Sequence, residues 1–321
     1  MYHPAADYLA EARRYLLEQR TDEARSAAER SIVLEPSGWD GWLVFGNVCP
    51  RVGQDHLALI AYSRSLVSRV SSEAFGNLAS VHYENSRFGA AGPAIQRALS
   101  LDCSRSQLWC LMGALLRKMQ RFEHAVLALR RALSISPNSI HGRHDLGTAL
   151  LESGDTESAA EQFCILLSQN PLDPNVHNNL GACAQAVGAV DQSVLRYSRA
   201  LSLAPTNETA LYNLSTLHMG AGELIESLRG FERVKRIHPS HAKSMWNGGL
   251  VRLSLGEFQR GWADYQWRFE VKPQDRTIDT DNTFDATRDL TARVLVWGEQ
   301  GVGDEVMFGS MLREFRGWCG K

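Results

Sequence analysis

One period runs through almost the whole of this chain and leaves few folds open to it. Aligning one small residue per unit gives Ala12, Gly46, Ala79, Gly113, Gly147, Gly181, Ser215 and Gly249, at steps of 34, 33, 34, 34, 34, 34 and 34. Twelve residues further on stands a second small column, Ala24, Ala58, Ala91, Ala125, Ala159, Ser193, Ser227 and Gly261. Twelve further again lie Pro36, Val70, Cys103, Pro137, Pro171, Pro205, Pro239 and Pro273. Proline cannot continue a helix, so six of these eight positions mark the end of a unit. A repeated unit of this length buries its apolar face only against its neighbours, so the period specifies a stacked array.

These columns closely resemble the tetratricopeptide repeat. The resemblance implies an all-α fold, a right-handed superhelix of about eight helix-turn-helix repeats with a long concave groove. Small residues suit the close approach of paired helices, while Leu146, Leu180, Phe163, Tyr197, Phe231 and Tyr265 fill the layers between. Two units depart from the pattern: Pro50 falls late in a first helix and Gly92-Pro93 inside a second one, so an irregularity is expected around residues 48–95.

Composition narrows the function classes. With 34 Lys plus Arg against 36 Asp plus Glu, the net charge of −2 offers no basic excess for neutralising phosphates, and nucleic acid is not an expected partner. Cys49, Cys103, Cys110, Cys164, Cys183 and Cys319 include no Cys-x-x-Cys pair, so they read as small hydrophobes in a reducing, cytoplasmic compartment. Residues 1–20 mix charges into their apolar positions, unlike a signal peptide. Nowhere do about 18 consecutive apolar residues occur, so no membrane span is expected.

In the tetratricopeptide fold the first helix of each unit faces the groove. The column two residues before the first small residue reads Ala10, Val44, Asn77, Leu111, Asp145, Asn179, Asn213 and Asn247, closing on three amides. Asparagine offers donor and acceptor without charge, so such a row can grip the backbone of an extended peptide. The row resembles the asparagine ladder of O-GlcNAc transferase repeats. The neighbouring column ends in His144, Asn178, Tyr212 and Trp246, adding aromatic surface for anchoring. The candidate peptide-binding residues are therefore Asn77, Asp145, Asn178, Asn179, Tyr212, Asn213, Trp246 and Asn247, and the expected partner is a protein or extended peptide in the groove. The alternative is that the amides only hydrogen-bond to adjacent helices. A clamp for a C-terminal carboxylate would need cations where Leu43 and Leu111 stand. The pairs His141/His144 and His238/His241 lack a third ligand in sequence and read as solvated polar residues, so no metal is expected.

The helical period stops after Pro273. Residues 274–290 read as a polar, acidic linker, and residues 291–321 as the truncated start of an α/β domain: an apolar run at 293–297, the loop Gly298-Glu299-Gln300-Gly301-Val302-Gly303-Asp304, then a helix-like stretch. Gly261-Trp262, Tyr265-Gln266-Trp267-Arg268 and this loop together resemble bacterial proteins in which such repeats precede a heptosyltransferase-like glycosyltransferase domain of the two-lobed GT-B fold. That resemblance implies a general-base role for Asp304, with Gly301 and Gly303 in its loop, and a nucleotide sugar as cofactor of a longer parent. The alternative role for Asp304 is to cap the following helix. With about 30 residues after Thr291, this chain alone is not expected to catalyse transfer, because each lobe needs on the order of 100–200 residues. The expected organisation is thus a repeat domain over 1–273, a linker over 274–290 and a fragment over 291–321. The expected function is an acceptor-recruiting, peptide-binding scaffold. Its alternative is a component of a glycosyltransferase site that contributes the Asp304 loop, and a tail-mediated homodimer is a further option.

Overall fold

The computed structural model describes residues 4–271, and every regular element among them is helical. The chain divides into two compact units, Met1–Arg196 and Tyr197–Lys321. In the first unit the hairpins are α1 (Pro4–Leu17) with α2 (Thr21–Leu34), α3 (Trp39–Val48) with α4 (Asp55–Ser68), α5 (Ser72–Glu84) with α6 (Phe88–Leu101), α7 (Ser106–Lys118) with α8 (Phe122–Ile135), and α9 (Ile140–Ser153) with α10 (Thr156–Gln169). There α11 (Pro174–Ala186) stacks on α10, and α12 (Val190–Leu203) spans the division. The second unit pairs α13 (Glu208–Gly220) with α14 (Leu224–Ile237) and α15 (Ala242–Ser254) with α16 (Phe258–Tyr265), followed by the short α17 (Arg268–Val271). The linker at 274–290, the apolar run at 293–297, Gly301, Gly303 and Asp304 lie outside the described residues.

Both small-residue columns are buried at all eight positions. Their size is matched to what lies across the hairpin. An added Cβ would come within 2.6 Å of the Tyr62 ring at Gly46, 2.5 Å of Leu129 at Gly113 and 2.8 Å of Phe163 at Gly147. Where the column holds alanine instead, as at Ala12 and Ala79, the residue sixteen further on is the aliphatic Ala28 or Ile95 rather than a ring. Volume is thus traded across each pair, which keeps the interior at close packing. One core of the first unit runs from Ala125 and Leu129 through Leu146, Leu150 and Phe163 to Val176 and Leu180, joining four successive helices.

Helix boundaries repeat as faithfully as the core. Helices α5, α9, α10, α11 and α13 start behind Ser71, Ser139, Asp155, Asp173 and Asn207, each of whose side chains accepts from a backbone N–H of the first turn. That satisfies a donor otherwise orphaned at a helix start. The end-of-unit column falls two residues beyond α2, α4, α6, α8, α10, α12 and α14 whether it holds proline or not: Val70 follows Ser68 and Cys103 follows Leu101 with the same offset as Pro137 after Ile135. Glu35, Arg69 and Asp102, the residues between, all leave the helical region.

The expected irregularity is confined to the first of its two prolines. Helix α3 ends at Val48 and tightens into a 3-10 turn over Cys49–Val52 that contains Pro50. Helix α6, by contrast, runs through Pro93 without interruption. The carbonyl left without an amide partner there belongs to Gly89, which is exposed, so water can take the place of the missing N–H.

No helix among the described residues is long and apolar enough to cross a membrane.

Candidate binding surface

First helices of consecutive hairpins touch each other, α1 with α3, α5 with α7, α7 with α9 and α9 with α11 in the first unit, and α13 with α15 in the second. The polar columns lie on these helices, and their side chains bridge from one hairpin to the next. Asn77 Nδ2 donates to Asn47 Oδ1 at 2.8 Å, and the same oxygen accepts from the Tyr62 hydroxyl at 2.9 Å. Burial raises the Tyr62 pKa, so this phenol stays a donor.

A second group centres on α9 and α11. Asn179 Nδ2 lies 2.9 Å from His144 Nε2, and Asn178 Nδ2 donates to Asn179 Oδ1 at 3.2 Å. Since the amide can only donate there, His144 presents an unprotonated Nε2, and its ring meets the edge of Phe163 at 5.9 Å between centroids. Burial lowers the His144 pKa, outweighing the opposite pull of Asp145. Asp145 sits beside Arg117, 3.9 Å from Nη1, while Arg117 clamps Glu152 with two bonds of 2.7 and 2.9 Å. Burial raises the Asp145 pKa against the stabilising Arg117 charge. The described contacts join Asp145, Asn178 and Asn179 around His144 and Arg117, whereas Asn77 keeps to Asn47.

In the second unit Asn247 Nδ2 donates to the Tyr212 hydroxyl at 3.2 Å. The Tyr212 ring is wedged between Phe231, at 6.0 Å, and His241, at 5.4 Å. Asn213 and Trp246 stand beside them on α13 and α15, both partly exposed. His238 and His241 share Glu208, at 3.0 and 3.6 Å from its Oε1. Among the described residues no group of three or more His, Cys, Asp or Glu side chains is arranged to hold a metal ion.

Two participants, Arg117 and Glu152, are not legible in the sequence as site residues. Their 35-residue separation, the same as that of Asn179 from His144 and Asn247 from Tyr212, is the signal that points to them. Each of these three bridges joins residues about one repeat apart. Chemically the surface is a set of amides, half-buried except for the buried Asn178, with an imidazole and an aromatic wedge, which suits hydrogen bonding to a ligand.

Residues 106–139 and 144–208 match two family models of the tetratricopeptide repeat. The peroxisomal targeting signal receptor of Kluyveromyces lactis is 28% identical over 93 residues, which is 29% of this chain and 16% of the receptor; the chain thus matches only a small part of that relative's length. A tetratricopeptide repeat protein from Parabacteroides merdae superposes with a TM-score of 0.64 at 13% identity, over 77% of this chain and 98% of that one. YrrB, described as a TPR protein with an unusual peptide-binding site, superposes with a TM-score of 0.51 at 21% identity, over 59% of this chain and 97% of that one.

Proposed function

We propose that this tetratricopeptide-repeat chain is a scaffold whose first-helix faces hold an extended peptide or protein segment. The observation that carries the reading is the tethering of Asn77, Asn179 and Asn247 to a side chain about a repeat away, namely Asn47, His144 and Tyr212. Such side chains have lost most of their rotamer freedom before a ligand arrives, so binding costs less ordering entropy. The fold shared with YrrB, a protein described as having a peptide-binding site, is in keeping with this use. The same bridges are also what amides serving only the helix packing would make, and the test separates the two.

The probe is the strongest binder from a library of random 12-residue peptides, titrated calorimetrically against the full chain. Asn179→Ala in the first unit and Asn247→Ala in the second each remove an amide, and the variant of the unit that holds the peptide should weaken it about fivefold or more. Unchanged affinity in both, with helicity preserved, assigns the amides to helix packing alone.

A cytoplasmic setting belongs to the same reading. Cys49, Cys103, Cys110, Cys164 and Cys183 are free thiols, and burial pushes Cys49 and Cys183 up to about 11, which leaves them unreactive. Association with a glycosyltransferase, with Asp304 as general base at the acceptor sugar and Gly301 and Gly303 in its loop, rests on the sequence pattern of residues 261–268 and 298–304 alone. Its test is sugar transfer to a peptide acceptor by this chain fused to a complete two-lobed transferase domain, where transfer lost in Asp304→Asn with acceptor binding kept supports it.

A further inference from the structure

The second unit carries a cleft of about 610 Å³, lined by α14, the end of α15 and the start of α16, so its wall comes mainly from second helices and not from the first-helix faces. That wall holds five arginines against two glutamates, a surplus of positive charge in a chain whose net charge is −2. The excess is therefore local to one face, which is the arrangement that steers an anionic partner. Both glutamates are already engaged: Glu232 accepts from Arg252 Nη2 at 2.6 Å and Glu257 from Arg252 Nη1. Arg252 is the buried member, with 9% of its side chain exposed, and its Nε also lies 3.2 Å from Asp264 Oδ2. The four remaining arginines are exposed. Arg229 meets Glu226 at 3.8 Å across open surface, and Arg233 donates to the backbone carbonyl of Pro205 at 3.2 Å. Arg233, Arg236 and Arg260 belong to no ion pair among the described residues.

Arg229, Arg233 and Arg236 follow one another on α14 at spacings of four and three, so they form one stripe over roughly 10 Å of helix. Like charges at these spacings oppose one another, and an anion laid along the stripe relieves that repulsion. Each guanidinium presents a planar fork of donors that matches a carboxylate. Carboxylates on one side of an extended segment recur about every 7 Å, close to the helical rise of about 6 Å between Arg229 and Arg233. Apolar side chains line the same cleft: Leu228, Ile225 at 55% exposure and Leu255 at 38%. A nucleic-acid strand would answer the arginines but brings no aliphatic side chain to cover these three, whereas an acidic peptide with an interspersed leucine or valine answers both. We propose that this cleft is a docking site for an acidic, partly apolar segment of another protein, separate from the first-helix faces.

The test is fluorescence anisotropy of the full chain with a fluorescein-labelled peptide of glutamates interrupted by two leucines. Saturable binding is expected, weakening about fivefold or more between roughly 0.05 and 0.3 M salt as the screening length shortens. Arg233→Glu/Arg236→Glu/Arg260→Glu should weaken it at least about tenfold. Arg130→Glu/Arg131→Glu, which reverses two exposed arginines on α8 of the first unit, should leave it unchanged. Should the triple reversal lose helicity, the neutral Arg233→Gln/Arg236→Gln/Arg260→Gln takes its place, with about a fivefold loss expected. Serine in place of the two leucines of the peptide should cost about threefold or more. Affinity unmoved by the cleft variants, or lowered equally by the α8 variant, would overturn the site. Indifference to the leucines, or tighter binding of a single-stranded oligonucleotide of equal charge, would overturn the assignment to a protein segment.

Discussion

Gln19, Ser86 and Gln120 hold positive φ of 60°, 56° and 57° at the turn inside their hairpins, where other units place Gly53, Gly154, Gly188, Gly222 and Gly256. A Cβ at any of these five glycines would meet nothing within 4 Å, so the choice of residue is decided by the backbone alone. An L-residue pays about 1–2 kcal/mol for left-handed backbone, partly offset by glycine's greater freedom when unfolded. Gln120→Gly is therefore expected to stabilise the chain by about 0.5–1 kcal/mol and Gly154→Ala to destabilise it by about 1 kcal/mol, read as opposite shifts of the denaturation midpoint. The glycines of this column are visible in the sequence at the repeat period, but nothing in the residue types at 19, 86 and 120 reveals that they share the conformation. His144 gives a pH-dependent counterpart. Its folded pKa lies below the ordinary 6.5, so the unfolded chain binds the proton first and acid pulls the equilibrium toward unfolding. Protonation also sets a second donor against Asn179 Nδ2. Stability should therefore fall as pH drops through about 6.5, and His144→Gln, which keeps an acceptor but no proton, should lose that part of the slope in denaturant titrations at pH 7.5 and 5.5.

Helices in this chain are joined by two kinds of lock, one legible and one not. The small columns at 34-residue spacing announce close helix pairing from residue type and spacing alone, and all their members prove buried. A second device recurs in four of the units and draws on three residue types. Trp42, Trp109, Arg143 and His177 each place a side-chain nitrogen on the backbone carbonyl six residues earlier, in the turn that ends the preceding unit, at 2.7–3.1 Å. Only the geometry repeats, since an indole, a guanidinium and an imidazole can all reach that oxygen. In the second unit Arg252 gathers Glu232, Glu257 and Asp264, tying α14, α15 and α16 together. Replacing it by a neutral side chain would leave Glu232 and Glu257 without this cation and Asp264 with Lys235 alone, 3.4 Å from its Oδ1. Arg252→Leu is expected to destabilise that unit by about 2–3 kcal/mol, discounted for the partial exposure of Glu232 and Glu257, with a local loss of amide protection in α14–α16 as the readout.

Across the whole molecule the period dictates an array of helix pairs and leaves its use open, because function here depends on which polar side chains meet. Asn77, Asn179 and Asn247 are legible as one column and His144 and Tyr212 as its neighbour, yet which residue pairs with which, Asn47 with Asn77 included, emerges only in the folded array. Arg233, Arg236 and Arg260 are hidden in the sequence for the opposite reason. They belong to second helices, and their clustering depends on the acids beside them being taken up by Arg252. The central claim, that ligands are held on the first-helix faces, is tested most directly by amide hydrogen exchange of the full chain with and without its selected 12-residue peptide. Added protection is predicted in α9 and α11 of the first unit or in α13 and α15 of the second, where the tethered amides lie. Protection confined to α8 and α10, or to α14 and α16, would contradict it.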